Sequence, residues 1–555
     1  VTGVGIIAVD PWPADNSGRV LGGHHEDSGF NSGKRTFKIY VPKCDIAMDG
    51  NRDDSITFGD TNDNHYLFWV NDDVDVISGG EEDDAQSGTA NCNDSAITCK
   101  RDLEDFTRLH IKVDDTTANL SGITYFLKFE NVSSGSPSVN IFEAVGESST
   151  YLSDTSVAAQ QIQKTKLITV GTTEVQLPNQ HIKTADQVSP FILEGKTAGK
   201  GDLTLIVKMN GNEVCKKAMS LDLRPITEFY EKYVVTVIAD DNVNTNSGSN
   251  ANSTTYTPEN DEYVLHVHGW NMEGWEKDRW SETVFKRLWW QRYKGHVGGF
   301  QWPTYTGILT YDASEVRAWR SGEALKNRIT SLNSTYSGEI RVIAHSMGNV
   351  VMGEALRLFS SSVVHTYIAA QAAIPAHCYD NTVTNYWTGF DTPNIYARYS
   401  SGLSPDTPYL AANSSHVGAM ALYFNPVDYA LGAIAWQLNN EMKPDLNYWY
   451  TEGDSNVDSY APASGDRFYY DSLLPFDERT MTIPDDRFET FARIVESRSR
   501  ALGSEPSVNG FGTARDLRNW GYNNQHYSHS REFRSNIVDE RPFWTAVVED
   551  AQLNQ

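Results

Sequence analysis

The sequence predicts an α/β domain with a mostly parallel sheet, preceded by an all-β, sandwich-like N-terminal region. Three observations carry this. Up to about residue 225, short runs rich in β-branched and aromatic residues alternate with Gly, Asn, Asp and Ser clusters, and no long amphipathic helix interrupts them. From residue 261 onward, short apolar strands alternate with stretches whose apolar residues recur at helical spacing. Within that second half, IRVIAHSMGNVVMGEALRLF (Ile340 to Phe359) reads as strand, sharp turn and helix.

A chain of 555 residues exceeds what one hydrophobic core serves, so two to four domains are expected. The predicted boundaries are 1–225 for the β-rich region, 226–260 for a short helix and polar linker, and 261–555 for the α/β domain. The β-rich region rests on RTFKIYV, HYLFWV, RLHIKV, ITYFLKF and LTLIVKM. The short helix is read from ITEFYEKYVV, and the linker from the nearly apolar-free segment Asp240 to Asn260. The α/β domain then offers YVLHV, GGFQWPTY, the helical SEVRAWRSGEALKNRITSL, and the apolar strands TYIAAQAAI and GAMALYFNPVDYAL. Alternation of this kind implies parallel pairing.

Composition excludes several roles. The net charge of −27 disfavours nucleic acid and simple electrostatic binding to anionic membranes. No apolar run reaches transmembrane length. Of the five cysteines, Cys92 and Cys99 bracket a short polar loop; a disulfide closing it and free thiols both fit. A secreted or periplasmic location is expected, with no signal peptide visible.

The strongest chemical signal is Ala344-His345-Ser346-Met347-Gly348, set between an apolar strand and a helix. A serine on such a turn projects its hydroxyl from the sheet, and the helix N-terminus favours a developing oxyanion. Upstream, the strand ending in His268-Gly269 suits an oxyanion loop, with the Trp270 amide joining that of Met347. The acid should follow a later strand. Asp428 is the first choice, with Asp391 and Asp380 behind it. Only His526 and His529 lie further downstream, in one short loop. His529 is preferred as base because a helix starts just after it, and His526 is the alternative.

HVHGWN, QWPTY, YDASEVR, AHSMGNVVMGEAL and NPVDYAL resemble the α/β-hydrolase superfamily of lipases and esterases, over residues 262–555. The resemblance implies a Ser346–His529–Asp428 triad, Trp270 and Met347 as oxyanion donors, an acyl-enzyme route and no cofactor for catalysis. The expected activity is carboxylic ester hydrolysis of a small-molecule, lipid or polymer ester. A lipase acting on long acyl chains and a surface- or glycan-binding protein with an inactive hydrolase domain are the alternatives. Six tryptophans near the elbow, and the stretch from Pro375 to Val417, are candidates for lining or covering a cleft.

In the N-terminal region, Asp49, Asn51, Asp53, Ser55, Thr57 and Asp60 place oxygen side chains at alternate positions of a twelve-residue loop. It resembles the calcium loops of EF-hand and dockerin modules, with Asp54 where the motif has glycine. The resemblance implies a structural Ca2+. Between Asp45 and Asp105, 17 acidic residues face 3 basic ones, a density that favours cations or solvation.

Overall fold

Seven parallel strands form the sheet of the second half of the chain in a computed structural model. It describes residues 42–70, 103–118, 121–184, 186–238, 242–307, 310–336, 339–374, 416–428, 502–504, 510–522 and 529–554, with a few isolated positions besides. Among these, 42–70, 105–151 and 159–224 form one unit, and 103–104, 152–158 and 225–554 a second.

The first unit is mainly β and mostly antiparallel, with one short helix at Asp115–Ala118. Its strands are β1 (Cys44–Ala47), β2 (His65–Val70), β3 (Phe106–Val113), β4 (Ile123–Glu143), β5 (Lys166–Val170), β6 (Val175–Leu177), β7 (Val188–Met209) and β8 (Asn212–Pro225). The two long strands β4 and β7 pair along most of their length, with register shifts around Glu130 to Val139. β7 then pairs β3 at one end and β8 at the other. A disulfide joins Cys44 to Cys215, tying β1 to β8. Cys92 and Cys99, the pair singled out by spacing, lie outside the described residues.

The second unit carries β9 (Glu231–Val234), β10 (Tyr263–Val267), β11 (His296–Gln301), β12 (Ile340–His345), β13 (Val364–Ala370), β14 (Val417–Phe424) and β15 (Thr513–Asp516), in the order β9-β11-β10-β12-β13-β14-β15. β10 and β12 are buried at every position, which is why they read as continuous apolar runs and not as alternating ones. Helices α1 (Gly274–Trp290), α2 (Tyr311–Tyr336), α3 (Gly348–Leu358), α4 (Arg531–Arg534) and α5 (Ile537–Asp550) cover the sheet. Tyr263, Leu265 and Val267 share one core with Leu325, Ile329, Val350 and Val351 of α2 and α3. His266 points the other way, against the rings of Trp280 and Phe533.

One reading of the segment 226–260 is corrected. The expected helix is a single 3-10 turn, Ile226–Glu228, followed by the edge strand β9. ITEFYEKYVV has apolar residues at both helical and strand spacing, and pairing with β11 decides for strand. The polar segment runs as an irregular loop, and it is held in place by local hydrogen bonds. Asn250 accepts from the amides of Lys232 and Asn252, Thr254 donates to the Tyr230 carbonyl, and Arg328 of α2 donates to Ser247. Its asparagines make local turns that pin it to β9 and α2.

Candidate active site

β12 ends at His345, and the chain turns at Ser346 before α3 begins at Gly348. Ser346 has φ 52°, a left-handed conformation that a non-glycine residue adopts at a cost. The turn must be this tight because α3 starts directly behind the sheet. A Cβ on Gly348 would sit 2.5 Å from the carbonyl oxygens of both Val267 and His268. A Cβ on Gly269 would lie 2.9 Å from the Ser346 Cβ and 3.0 Å from the His345 Nδ1. The two glycines therefore let the elbow and the loop after β10 touch through bare backbone.

His529 stands between the two partners the sequence proposed for it. Its Nε2 is 2.8 Å from Ser346 Oγ, and its Nδ1 is 2.8 Å from Asp428 Oδ2. Asp428 is buried, yet every acceptor position is used. Oδ1 takes the amides of Ala430 and Leu431, and Oδ2 takes the Gln371 side-chain amide at 2.6 Å as well as His529. A carboxylate held by three N–H donors besides the imidazole has one orientation available to it. His526, Asp380 and Asp391 lie outside the described residues.

The loop after β10 is locked from behind. The Trp302 indole donates to the His268 carbonyl at 2.7 Å, while His268 Nε2 and Lys277 Nζ both reach the Trp302 carbonyl. Burial holds the His268 imidazole neutral, its pKa well below the usual histidine range. The Trp270 indole donates to Thr310, and Asn271 receives the Gly307 amide, so the loops following β10 and β11 are stitched together beside Ser346. Met347 is fully buried at the first turn of α3.

The roles of three residues were not expected from the sequence, Trp302 having been read only as a candidate to line a cleft. Gln371 holds Asp428, His345 Nε2 bonds the His529 carbonyl at 2.6 Å, and Trp302 holds the loop after β10. The one available signal was a polar residue, Gln371, interrupting the apolar run TYIAAQAAI at the C-terminal edge of its strand.

In the acidic loop of the first unit, Asp54 has φ 71°, in the left-handed region. Its oxygens are engaged internally. Asp49 accepts the amides of Asp53 and Asp54, Asn51 accepts that of Asp53, and Asp53 that of Ser55. The Arg108 guanidinium bridges Asp49 at 3.0 Å and Asp54 at 2.8 Å. Asp63, which the pattern passed over, closes the loop by accepting from Gly50 and Thr57. Burial raises the carboxyl pKa values of Asp49 and Asp63. Among the described residues no three carboxylate, histidine or cysteine side chains converge on one point.

The second unit has the α/β-hydrolase fold, a mostly parallel sheet with the strand–elbow–helix turn at Ser346. Residues 245–374 match the family model described as alpha/beta hydrolase of unknown function (DUF900). No curated protein matches the chain. Solved structures similar to it include the Pyrococcus furiosus esterase Pf2001, at 16% identity and TM-score 0.20 over 36% of this chain and 73% of that one. The Bacillus licheniformis lipase BlEst2 is 11% identical, with TM-score 0.18 over 34% of this chain and 78% of that one. Prolyl oligopeptidase B from Galerina marginata is 10% identical, with TM-score 0.24–0.25 across two structures, its apo form covering 70% of this chain and 46% of that one. At these TM-scores none of the likenesses carries an argument about this chain.

Proposed function

We propose that the protein hydrolyses carboxylic esters through an acyl-enzyme on Ser346. The observation that carries this is the position of His529, within hydrogen-bond distance of Ser346 Oγ on one side and of Asp428 on the other. Those contacts suit one sequence of events. His529 Nε2 takes the Ser346 proton as Oγ attacks the substrate carbonyl, forming a tetrahedral oxyanion. The amides of Trp270 and Met347, at the tight loop and at the start of α3, are the donors this reading assigns to that charge. Asp428 keeps the Nδ1–H tautomer and stabilises the imidazolium. The same proton then passes to the leaving alcohol, and water, activated by His529, releases the acid. The chain supplies the first nucleophile and the acid–base group, and water is the nucleophile of the second half.

A chromogenic ester series tests the reading. Measurable turnover on short-chain esters, lost in Ser346→Ala with the fold intact, is expected. A rate that climbs with acyl length would favour a lipase, and absence of turnover on every ester would favour the inactive binding protein.

The oxygen-rich loop is proposed to bind Ca2+ for stability, not for catalysis. Asp49, Asn51, Asp53, Ser55, Thr57 and Asp60 supply hard oxygen donors at alternate positions of the loop. Calcium would take over from Arg108 as the counter-charge of Asp49. Secretion is also proposed. The Cys44–Cys215 disulfide supports an oxidising compartment.

A further inference from the structure

The elbow carries a second functional side chain beside its serine. His345 is fully buried, and its ring lies 4.9 Å from that of His529, centroid to centroid. Its Nε2 is 2.6 Å from the His529 carbonyl oxygen. An imidazole facing a carbonyl must donate, so Nε2 carries the proton. Burial, and then the neighbouring His529, keep the ring neutral, which leaves Nδ1 bare against the backbone of Gly269. Trp280 and Phe533, stacked on each other at 4.4 Å, meet the ring edge-on and fix its plane. Glu532 Oε1 stands 3.7 Å from the same Nε2. Glu532 is fully buried and its carboxyl pKa is driven well up by that burial, so it is no competing charge for the His345 proton.

We propose that His345 is a positioning residue for the hydrolytic base. Its Nε2–H grips the main chain of His529 from beneath and so sets the distance between His529 Nε2 and Ser346 Oγ. The logic is geometric. His529 is attached to the body of the unit by the short helix α4, and its side chain alone cannot fix where its Cα sits. Asp428 orients the ring about its own bonds, and the His345 bond holds the carbonyl. Two anchors, one on the side chain and one on the backbone, define the imidazole. Because His345 belongs to β12, one residue before Ser346, nucleophile and base are referenced to the same strand end. This rests on the reading of His529 as the base. A base displaced by about 1 Å loses on the order of a hundredfold in rate while substrate binding is untouched.

The experiment compares His345→Phe, which keeps the ring contacts and removes the donor, with His345→Gln, which keeps a donor of similar reach. For each, kcat, KM and melting temperature are measured with one short-chain ester. Expected is a fall in kcat of tenfold or more for His345→Phe with KM within threefold of wild type, and recovery of most of kcat in His345→Gln. Equal kcat in both variants overturns the proposal, as does a loss that appears in KM alone. Failure of both variants to fold also overturns it, since His345 would then be a packing residue. If Ser346→Ala retains turnover, the base assignment itself falls. A dead Ser346→Ala beside an undiminished His345→Phe rejects only the positioning role.

Discussion

At the residue scale, the proposed chemistry rests on two contacts of 2.8 Å made by one imidazole. Ser346→Ala and His529→Ala are each expected to lower kcat by on the order of a thousandfold or more, with melting temperature nearly unchanged. Asp428→Asn should be comparably damaging, because the amide would offer an N–H where Nδ1–H must be accepted. Steady-state kinetics on a short-chain ester decides each case, and an active Asp428→Asn would return attention to Asp380 and Asp391. Ser346, Asp428 and His529 were legible in the sequence because chain order and local context select them: an elbow pentapeptide, an aspartate after an apolar strand, a histidine before a terminal helix. Gln371, His345 and Asp63 were not, since their roles arise only when distant segments meet. Gln371 reaches Asp428 across 57 positions and His345 reaches His529 across 184.

At the element scale, the elbow is a strand, a strained serine and a helix forced into contact. The absence of a Cβ at Gly348 is a geometric requirement, because the Val267 and His268 carbonyls occupy that space. Gly348→Val is expected to destabilise the unit by about 1–3 kcal/mol through overpacking, and to displace Ser346. Thermal unfolding together with ester turnover would measure both, and a variant with wild-type values in each would contradict the close approach. The sheet itself was readable because buried parallel strands announce themselves as apolar runs. β9 was misread because a strand at the edge of a parallel sheet is half polar, and a ten-residue window cannot separate its two periodicities. The asparagine-rich segment after it is a loop, as its composition implies, and the Asx turns that hold it are not visible in composition alone.

At the scale of the whole molecule, stability should depend on pH through buried neutral imidazoles. Burial depresses the pKa of His266 to about 3 and that of His110 to about 4, and lowers His268 and His345 well below the usual value. The unfolded chain binds protons at these histidines below about pH 6.5 and the folded chain does not. Their contribution is therefore complete above pH 6.5, shrinks as pH falls, and for His266 is lost only near pH 3. Each fully buried imidazole contributes about 1 kcal/mol per pH unit across that window. Melting temperature should decline steadily from pH 6.5 downward, and His266→Phe should flatten the slope; a pH-independent melting temperature between pH 6.5 and 4 would contradict neutral burial. Calcium is tested on the same axis. Chelation should lower the melting temperature and leave turnover of the folded protein nearly unchanged. Calorimetric titration of metal-stripped protein without heat of binding would remove the site.

Covalent capture reaches the central claim most directly. A fluorophosphonate reacts with a serine that an adjacent base has activated, so the intact protein should gain one label, located on Ser346 by peptide mass spectrometry. Labelling should vanish in Ser346→Ala and fall at least a hundredfold in rate in His529→Ala. A label on another residue, or undiminished labelling of Ser346→Ala, would contradict the account.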